Sequence, residues 1–223
     1  LTEDHYVPID ELSAEILGDG LTAAMEYVEA VFKTDETAAV ASVNMNLLPA
    51  AGSSIIHPHV QAIVDDRGTN SQRDRIEGAT AYRDRTGADF FGDLVETTRE
   101  TDRYVGSTGE VEWIAPFAPR HPRHVRGIAP ETGQPDPKSP VIDSFAAGIE
   151  QVLAHYADTG LNSFNFGLHL FRDEALRPHV DVVARSPFEE YAWSDATFFE
   201  TIHDEHVIDV PPEQYAESVA AFF

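Results

Sequence analysis

One order of apolar residues occurs twice in this chain, and that repetition limits its fold more than any other feature. Between residues 10 and 64, Leu12, Ile16, Leu17, Leu21, Met25, Val28, Val31 and Phe32 recur at helical spacing, with Asp10 as N-cap. Residues 39–48 then read as a strand, 49–54 as a loop of small residues, and 55–64 as a second strand. Between residues 141 and 185 the order returns. Ile142, Phe145, Ala146, Ile149, Val152, Leu153 and Tyr156 make a helical stripe that ends near Gly160. In 163–171, Phe164, Phe166, Leu168 and Leu170 share one face of a strand and Asn165, Gly167 and His169 the other; 179–185 is a shorter β run. A histidine stands early in the last strand of each set. This is the pattern of a degenerate internal repeat, and it predicts an α+β fold with mainly antiparallel sheets flanked by helices.

The remaining segments fill in around the repeat. Residues 71–103 read as helical with a break near Gly87, burying Phe90, Phe91, Leu94 and Val95, and 111–117 alternates as a strand. The proline-rich stretch 118–140 reads as a long surface connection, because regular patterns resume on both sides of it. Strand and loop at 104–138 precede the second helix, whereas only residues 1–9 precede the first. We therefore expect two units, 1–100 and 101–223, with the opening strands of the first missing from a chain that starts at Leu1.

Charge excludes several function classes. Fifteen Lys and Arg against 39 Asp and Glu leave a formal charge of −24. Proteins bind phosphate backbones by neutralising them with Lys and Arg, so no nucleic-acid partner is expected, and no anionic membrane surface either. Lys33 and Lys138 are the only lysines, and the acids are scattered through a chain that is 42% hydrophobic. An acidic, lysine-poor surface over an ordinary core suits a halophilic protein, whose self-repulsion concentrated salt screens. With no cysteine there are no disulfides or thiolate metal sites and the redox compartment is unreadable; no signal peptide opens the chain and no apolar run reaches membrane-spanning length, and a cytoplasmic location is expected.

The chemistry concentrates in Gly52-Ser53-Ser54-Ile55-Ile56-His57-Pro58-His59-Val60-Gln61. If this segment is a strand, His57, His59 and Gln61 lie on one face at roughly 6–7 Å spacing. Pro58 cannot donate a ladder hydrogen bond and so places the segment at an edge or strand start, where a substrate can reach it. The small residues at 50–54 would let backbone N–H groups approach an anion.

With Asn46 and Gly52-Ser53-Ser54 upstream, this segment resembles the active-site sequence of the galactose-1-phosphate uridylyltransferase family, a tandem branch of the histidine-triad superfamily. Arg73-Asp74-Arg75, the strand ending in Pro116-Phe117, the helix at Ile142 and Phe166-Gly167-Leu168-His169 follow the family's order. The resemblance covers nearly the whole chain; the family's opening segment, about the first third of its length, has no counterpart here. It implies two tandem histidine-triad-like units, catalytic first and degenerate second, assembled as a homodimer. It also implies a ping-pong transfer in which His59 attacks the α-phosphorus of a UDP-sugar and passes the uridylyl group to a sugar 1-phosphate. Gln61 would steady the intermediate, Gly52, Ser53 and Ser54 would contact phosphate, and Asn46 would lie beside the nucleotide.

The same resemblance implies metals. His5 and His57 match two ligands of a structural zinc, whose other ligands have no match in this chain. His169 and His179 match part of a second site, although Asp181 replaces its third histidine and the glutamate position aligns with Arg73, leaving Glu77 one turn later as a substitute. His121 and His124 read as part of a solvated basic loop, and His203 and His206 as surface residues. Arg67, Arg73, Arg75, Arg83 and Arg85 read as i,i+4 partners on an acidic helix. Two other functions stay open: a related nucleotidyltransferase or phosphorylase using adenine nucleotides, and a non-catalytic nucleotide-binding homologue.

Overall fold

The computed structural model describes residues 1–172, 176–190 and 194–223. Helix α1 (Ala14–Thr34) starts where the Ser13 hydroxyl accepts from the Ile16 N–H at 3.3 Å. Asp10, expected at that cap, instead lies in a short 3-10 turn, Ile9–Glu11; the buried Leu12 separates the two, so the chain turns once before the helix begins. Strand β1 (Val40–Leu47) alternates between two faces, with Val43, Met45 and Leu47 buried and Asn44 and Asn46 half-buried opposite them. Strand β2 is shorter than expected, Val60–Asp65 instead of 55–64. Residues 53–59 bend without pairing, and Pro58 lacks the N–H that a ladder there would need.

Helices α2 (Asn70–Thr86) and α3 (Phe90–Arg99) are separated at Gly87, whose φ of 74° is left-handed backbone that favours glycine. Strands β3 (Tyr104–Thr108) and β4 (Val111–Ile114) form a hairpin. The stretch read as a surface connection contains a strand, β5 (Val125–Ile128), which pairs with β4 on one side. Helix α4 (Pro140–Asp158), strands β6 (Phe164–Phe171) and β7 (His179–Ala184), and helices α5 (Phe198–His203) and α6 (Pro212–Ala220) complete the chain.

All strands join one sheet in the order β2-β1-β6-β7-β5-β4-β3, every neighbouring pair antiparallel. The two helix–strand–strand sets meet where β1 and β6, the second and third strands of the sheet, pair from Val40 opposite Phe171 to Leu47 opposite Phe164. On the inner face α1 packs beside α4, and their stripes join Val43, Met45, Phe164, Leu168, Val180 and Trp113 in one core with Tyr215 and Val219 of α6. On the outer face α2 and α3 cover only part of the sheet, through Ala79, Phe91 and Val95 against Val40, Ile114, Ile128 and Phe171. The rest of that face, near β2 and the facing ends of β1 and β6, carries Asn44, Asn46, Gln61 and Asn165, with Ile63 exposed beside them. Among the described residues no helix is long and apolar enough to cross a membrane.

Candidate active site

Where β1 ends, Leu48 adopts a positive φ of 69° and starts a tight 3-10 turn, Pro49–Ala51, closed by Gly52 at φ 85°. The N–H groups of Ala51 and Ser53 donate to the Leu48 carbonyl and that of Gly52 to Pro49, and the Ser53 hydroxyl donates to the Ile55 carbonyl at 2.5 Å. These backbone donors, expected to cradle an anion, are spent inside the loop. Ser53 is buried, and Ser54 and Gly52 are the exposed members.

Past the loop, His57 and His59 sit in irregular chain ahead of β2, so strand alternation does not fix their directions. The His57 Nε2–H donates to the Thr2 carbonyl at 2.7 Å, and its ring meets that of His5 edge-on, centroids 5.2 Å apart. His59 lies differently. Its Nδ1 is 3.0 Å from the His57 carbonyl. A carbonyl only accepts, so Nδ1 carries the proton and Nε2 holds the lone pair of the neutral ring. His59 is half-buried, and Gln61, exposed on β2, stands opposite Asn44 of β1.

A polar network runs from the end of β1 across β6 to Arg185, just past β7. Asn165 of β6, opposite Asn46 in register, donates to Asn46 Oδ1 at 2.6 Å and to the Ala51 carbonyl at 2.8 Å, tying the loop to the sheet. Its own Oδ1 accepts from Arg185 Nη1 at 2.8 Å, and Arg185 Nε holds both oxygens of Asp195 at 2.9 and 3.0 Å. Beyond Arg185 opens a cleft of about 710 Å³ lined by His121, Arg123, Arg185, Asp195, Glu200 and Asp209. Asn165, Arg185 and Asp195 did not emerge from the sequence as site residues. Asn165 did lie on the polar face of the alternating strand, which was the available signal.

Further along the outer face, His169, His179 and Asp181 bring ligand atoms within 4.8 Å of one another, a spacing that could hold a metal ion. Other donors converge there too. Asp181 Oδ1 accepts from Arg126 Nε at 2.6 Å and His124 Nε2 at 2.8 Å, while Oδ2 accepts from Arg75 Nη2 at 2.7 Å and lies 3.4 Å from His169 Nε2. Burial opposes ionisation of Asp181, but Arg126, then His124 and the hydrogen bonds from His124 and His169, together outweigh it and hold the carboxyl well below the usual range. Burial also lowers the pKa of His124, His169 and His179, His179 furthest, so all three are neutral. His124 is thus a buried partner of Asp181, not part of a solvated loop, because β5 carries it into the sheet. His121 is also drawn down, to about 4, by burial and then by the nearby His124 and His206. Arg75, expected to pair along its own helix, crosses to β7 instead, whereas Arg73 stays local to Gly68 and Asn70 and Glu77 is exposed.

No family model matches the chain. An uncharacterized protein of Archaeoglobus fulgidus is 33% identical over 221 residues, 98% of this chain and 66% of that protein. The chain thus spans just under two thirds of that relative's length. A uridylyltransferase structure superposes over 99% of this chain and 72% of its own, with a TM-score of 0.84 and 19% identity. An ADP-glucose phosphorylase from Arabidopsis thaliana, solved with bound ADP-glucose, covers 97% and 68% with a TM-score of 0.79 and 16% identity. The motifs around His59 and the superposition arrive at one architecture: the chain has the α+β fold of the galactose-1-phosphate uridylyltransferase-like structures.

Proposed function

We propose that this chain transfers a nucleotidyl group, uridylyl in the first instance, between a nucleoside-diphosphate sugar and a hexose 1-phosphate through a covalent intermediate on His59. The observation that carries this reading is the His59 hydrogen bond to its own loop: with Nδ1–H held by the His57 carbonyl, the free lone pair is on Nε2. A neutral imidazole so fixed is a nucleophile at neutral pH that needs no separate base. Nε2 attacks the α-phosphorus, the bond from that phosphorus to the bridging oxygen breaks, and hexose 1-phosphate leaves with the electron pair. The ring now carries positive charge, which the Nδ1–H···O=C contact stabilises. The phosphate oxygen of a second hexose 1-phosphate then attacks the same phosphorus and restores neutral His59. Splitting one displacement into two in this way leaves the protein mainly a positioning task.

Gln61, exposed, would donate to a non-bridging oxygen, and the exposed Ser54 and Gly52 would contact phosphate. Asn46, which accepts from Asn165, would lie beside the nucleotide. In this reading residues 1–100 form the catalytic unit, 101–223 the degenerate one, and the working form is a homodimer. His5 and His57, whose rings meet edge-on, would supply two ligands of a zinc if one binds there.

Intact-mass spectrometry after incubation with UDP-glucose in high salt tests the proposal. The expected result is one uridylyl adduct that maps to His59 and is absent in His59→Asn, with turnover falling by roughly 10³-fold or more. An adduct only from ADP-glucose would reassign the base to adenine. No adduct from either donor, with nucleotide binding retained, would leave the chain a non-catalytic binder.

A further inference from the structure

The cluster at His169, His179 and Asp181 has the spacing of a metal site, but the electron pairs of His179 and Asp181 are already taken, and His169 Nδ1 alone of the three residues' ligand atoms is buried without a partner. His179 Nδ1–H donates to the Arg177 carbonyl at 3.0 Å, so its only lone pair is on Nε2, and Arg75 Nη1 lies 2.6 Å from that atom. The second prong of the same guanidinium, Nη2, reaches Asp181 Oδ2. Arg126 and His124 occupy Oδ1. Two carboxylate oxygens offer about four acceptor positions, and these donors together with His169 use them. The side chains of Arg75, Asp181 and Arg126 are only 18%, 14% and 13% exposed, so water could not take over the freed groups if an ion displaced them. An incoming divalent ion would also meet two guanidinium charges beside one carboxylate, at short range in a weakly screening interior.

We infer that the guanidinium of Arg75 is the cation of this cluster, in place of a metal ion, bridging an imidazole of β7 and a carboxylate of β7 from the covering helix α2. Charge arithmetic supports the substitution. Arg75 and Arg126 against Asp181 leave one net positive charge. Replacing Arg75 with glutamate and adding a divalent ion leaves the same net charge, with two carboxylates and two imidazoles around the ion, a donor set that suits zinc or cobalt. The native chain therefore holds a latent metal site that one side chain closes.

The test uses the full chain, stripped with chelator and dialysed against Co(II) in high salt. Metal content is measured by plasma mass spectrometry and the ligand field by visible absorption, for native protein, His179→Ala, Arg75→Glu and the Arg75→Glu/His179→Ala double variant. Native protein and His179→Ala should bind the same amount of cobalt. Arg75→Glu should bind about one equivalent more, lose it in the double variant, and gain on the order of 5–10 °C in Tm when cobalt is added at a hundred-fold excess over its Kd. A native chain that loses about one equivalent on His179→Ala overturns the inference, and so does a folded Arg75→Glu protein that takes up no extra cobalt. If Arg75→Glu fails to fold in either condition, the native and His179→Ala pair still decides.

Discussion

Gly148 shows how much a single residue decides in this core. It lies in the middle of α4, where glycine lowers helix stability relative to alanine. It is there because the fully buried Trp113 of β4 lies against the helix backbone: a Cβ at 148 would come within 2.1 Å of the indole, and one at Gly127 of β5 within 2.8 Å. The indole Nε1–H donates to Thr108 Oγ1 at 2.7 Å, so the ring cannot slide without breaking a buried bond. Gly148→Ala should therefore destabilise by about 1–3 kcal/mol despite its better helix propensity. That lowers Tm by roughly 2–4 °C per kcal/mol, readable by calorimetry. An unchanged or raised Tm would show that the ring has room to move.

At the scale of elements, α2 exists for reasons other than an apolar stripe. Its outward surface is strongly polar, and only Gln72 and Ala79 are buried. What fixes it is its start: the Thr69 hydroxyl accepts from the Gln72 N–H at 3.3 Å, Gln72 Oε1 accepts from the Thr69 N–H at 3.0 Å, and Gln72 Nε2 donates to the Ala41 carbonyl of β1 at 3.0 Å. Thr69→Ala should cost about 1 kcal/mol, while Gln72→Ala, which loses both the return bond to the Thr69 N–H and the bond to the Ala41 carbonyl, should cost more; urea midpoints would rank them. Such reasons decide what was legible beforehand. The α1 and α4 stripes and the alternation of β6 follow from local spacing, so sequence alone finds them. Strand β5 is four residues among prolines, and its place is set by β4, β7 and the Arg126–Asp181 pair, partners remote in the chain. The site divides the same way. His59 and Gln61 stand in a compact motif, but the shortening of β2, the internal bonding of the loop and the roles of Asn165, Arg185 and Arg75 depend on contacts between strands and helices far apart in sequence.

For the whole molecule, net charge and buried histidines pull stability in opposite directions with pH. A formal charge of −24 repels itself, and lowering the pH relieves that repulsion. The screening length falls from about 10 Å at 0.1 M salt to about 3 Å at 1 M, so in concentrated salt this contribution shrinks, as the halophilic reading of the surface requires. What remains is the histidines. Burial lowers the pKa of His121, His124, His155, His169 and His179, His121 to about 4, against an unfolded value near 6.5. Below that value the unfolded chain binds protons that the folded chain refuses, so stability is present above about pH 6.5 and lost as pH falls toward the folded values. Asp181, with its folded pKa well below 3.8, adds its own loss only at more acid pH. In about 1 M salt or more, Tm should therefore fall steadily from pH 7 to pH 4.5, and less steeply in His121→Gln, which removes one of the titrating rings. At about 0.1 M salt the native protein should have a lower Tm at pH 7 and a flatter pH profile, because relief of repulsion offsets the histidine loss. A Tm independent of salt at pH 7 would remove the halophilic reading, and a pH profile that stays flat in high salt would mean that these imidazoles are protonated in the folded state.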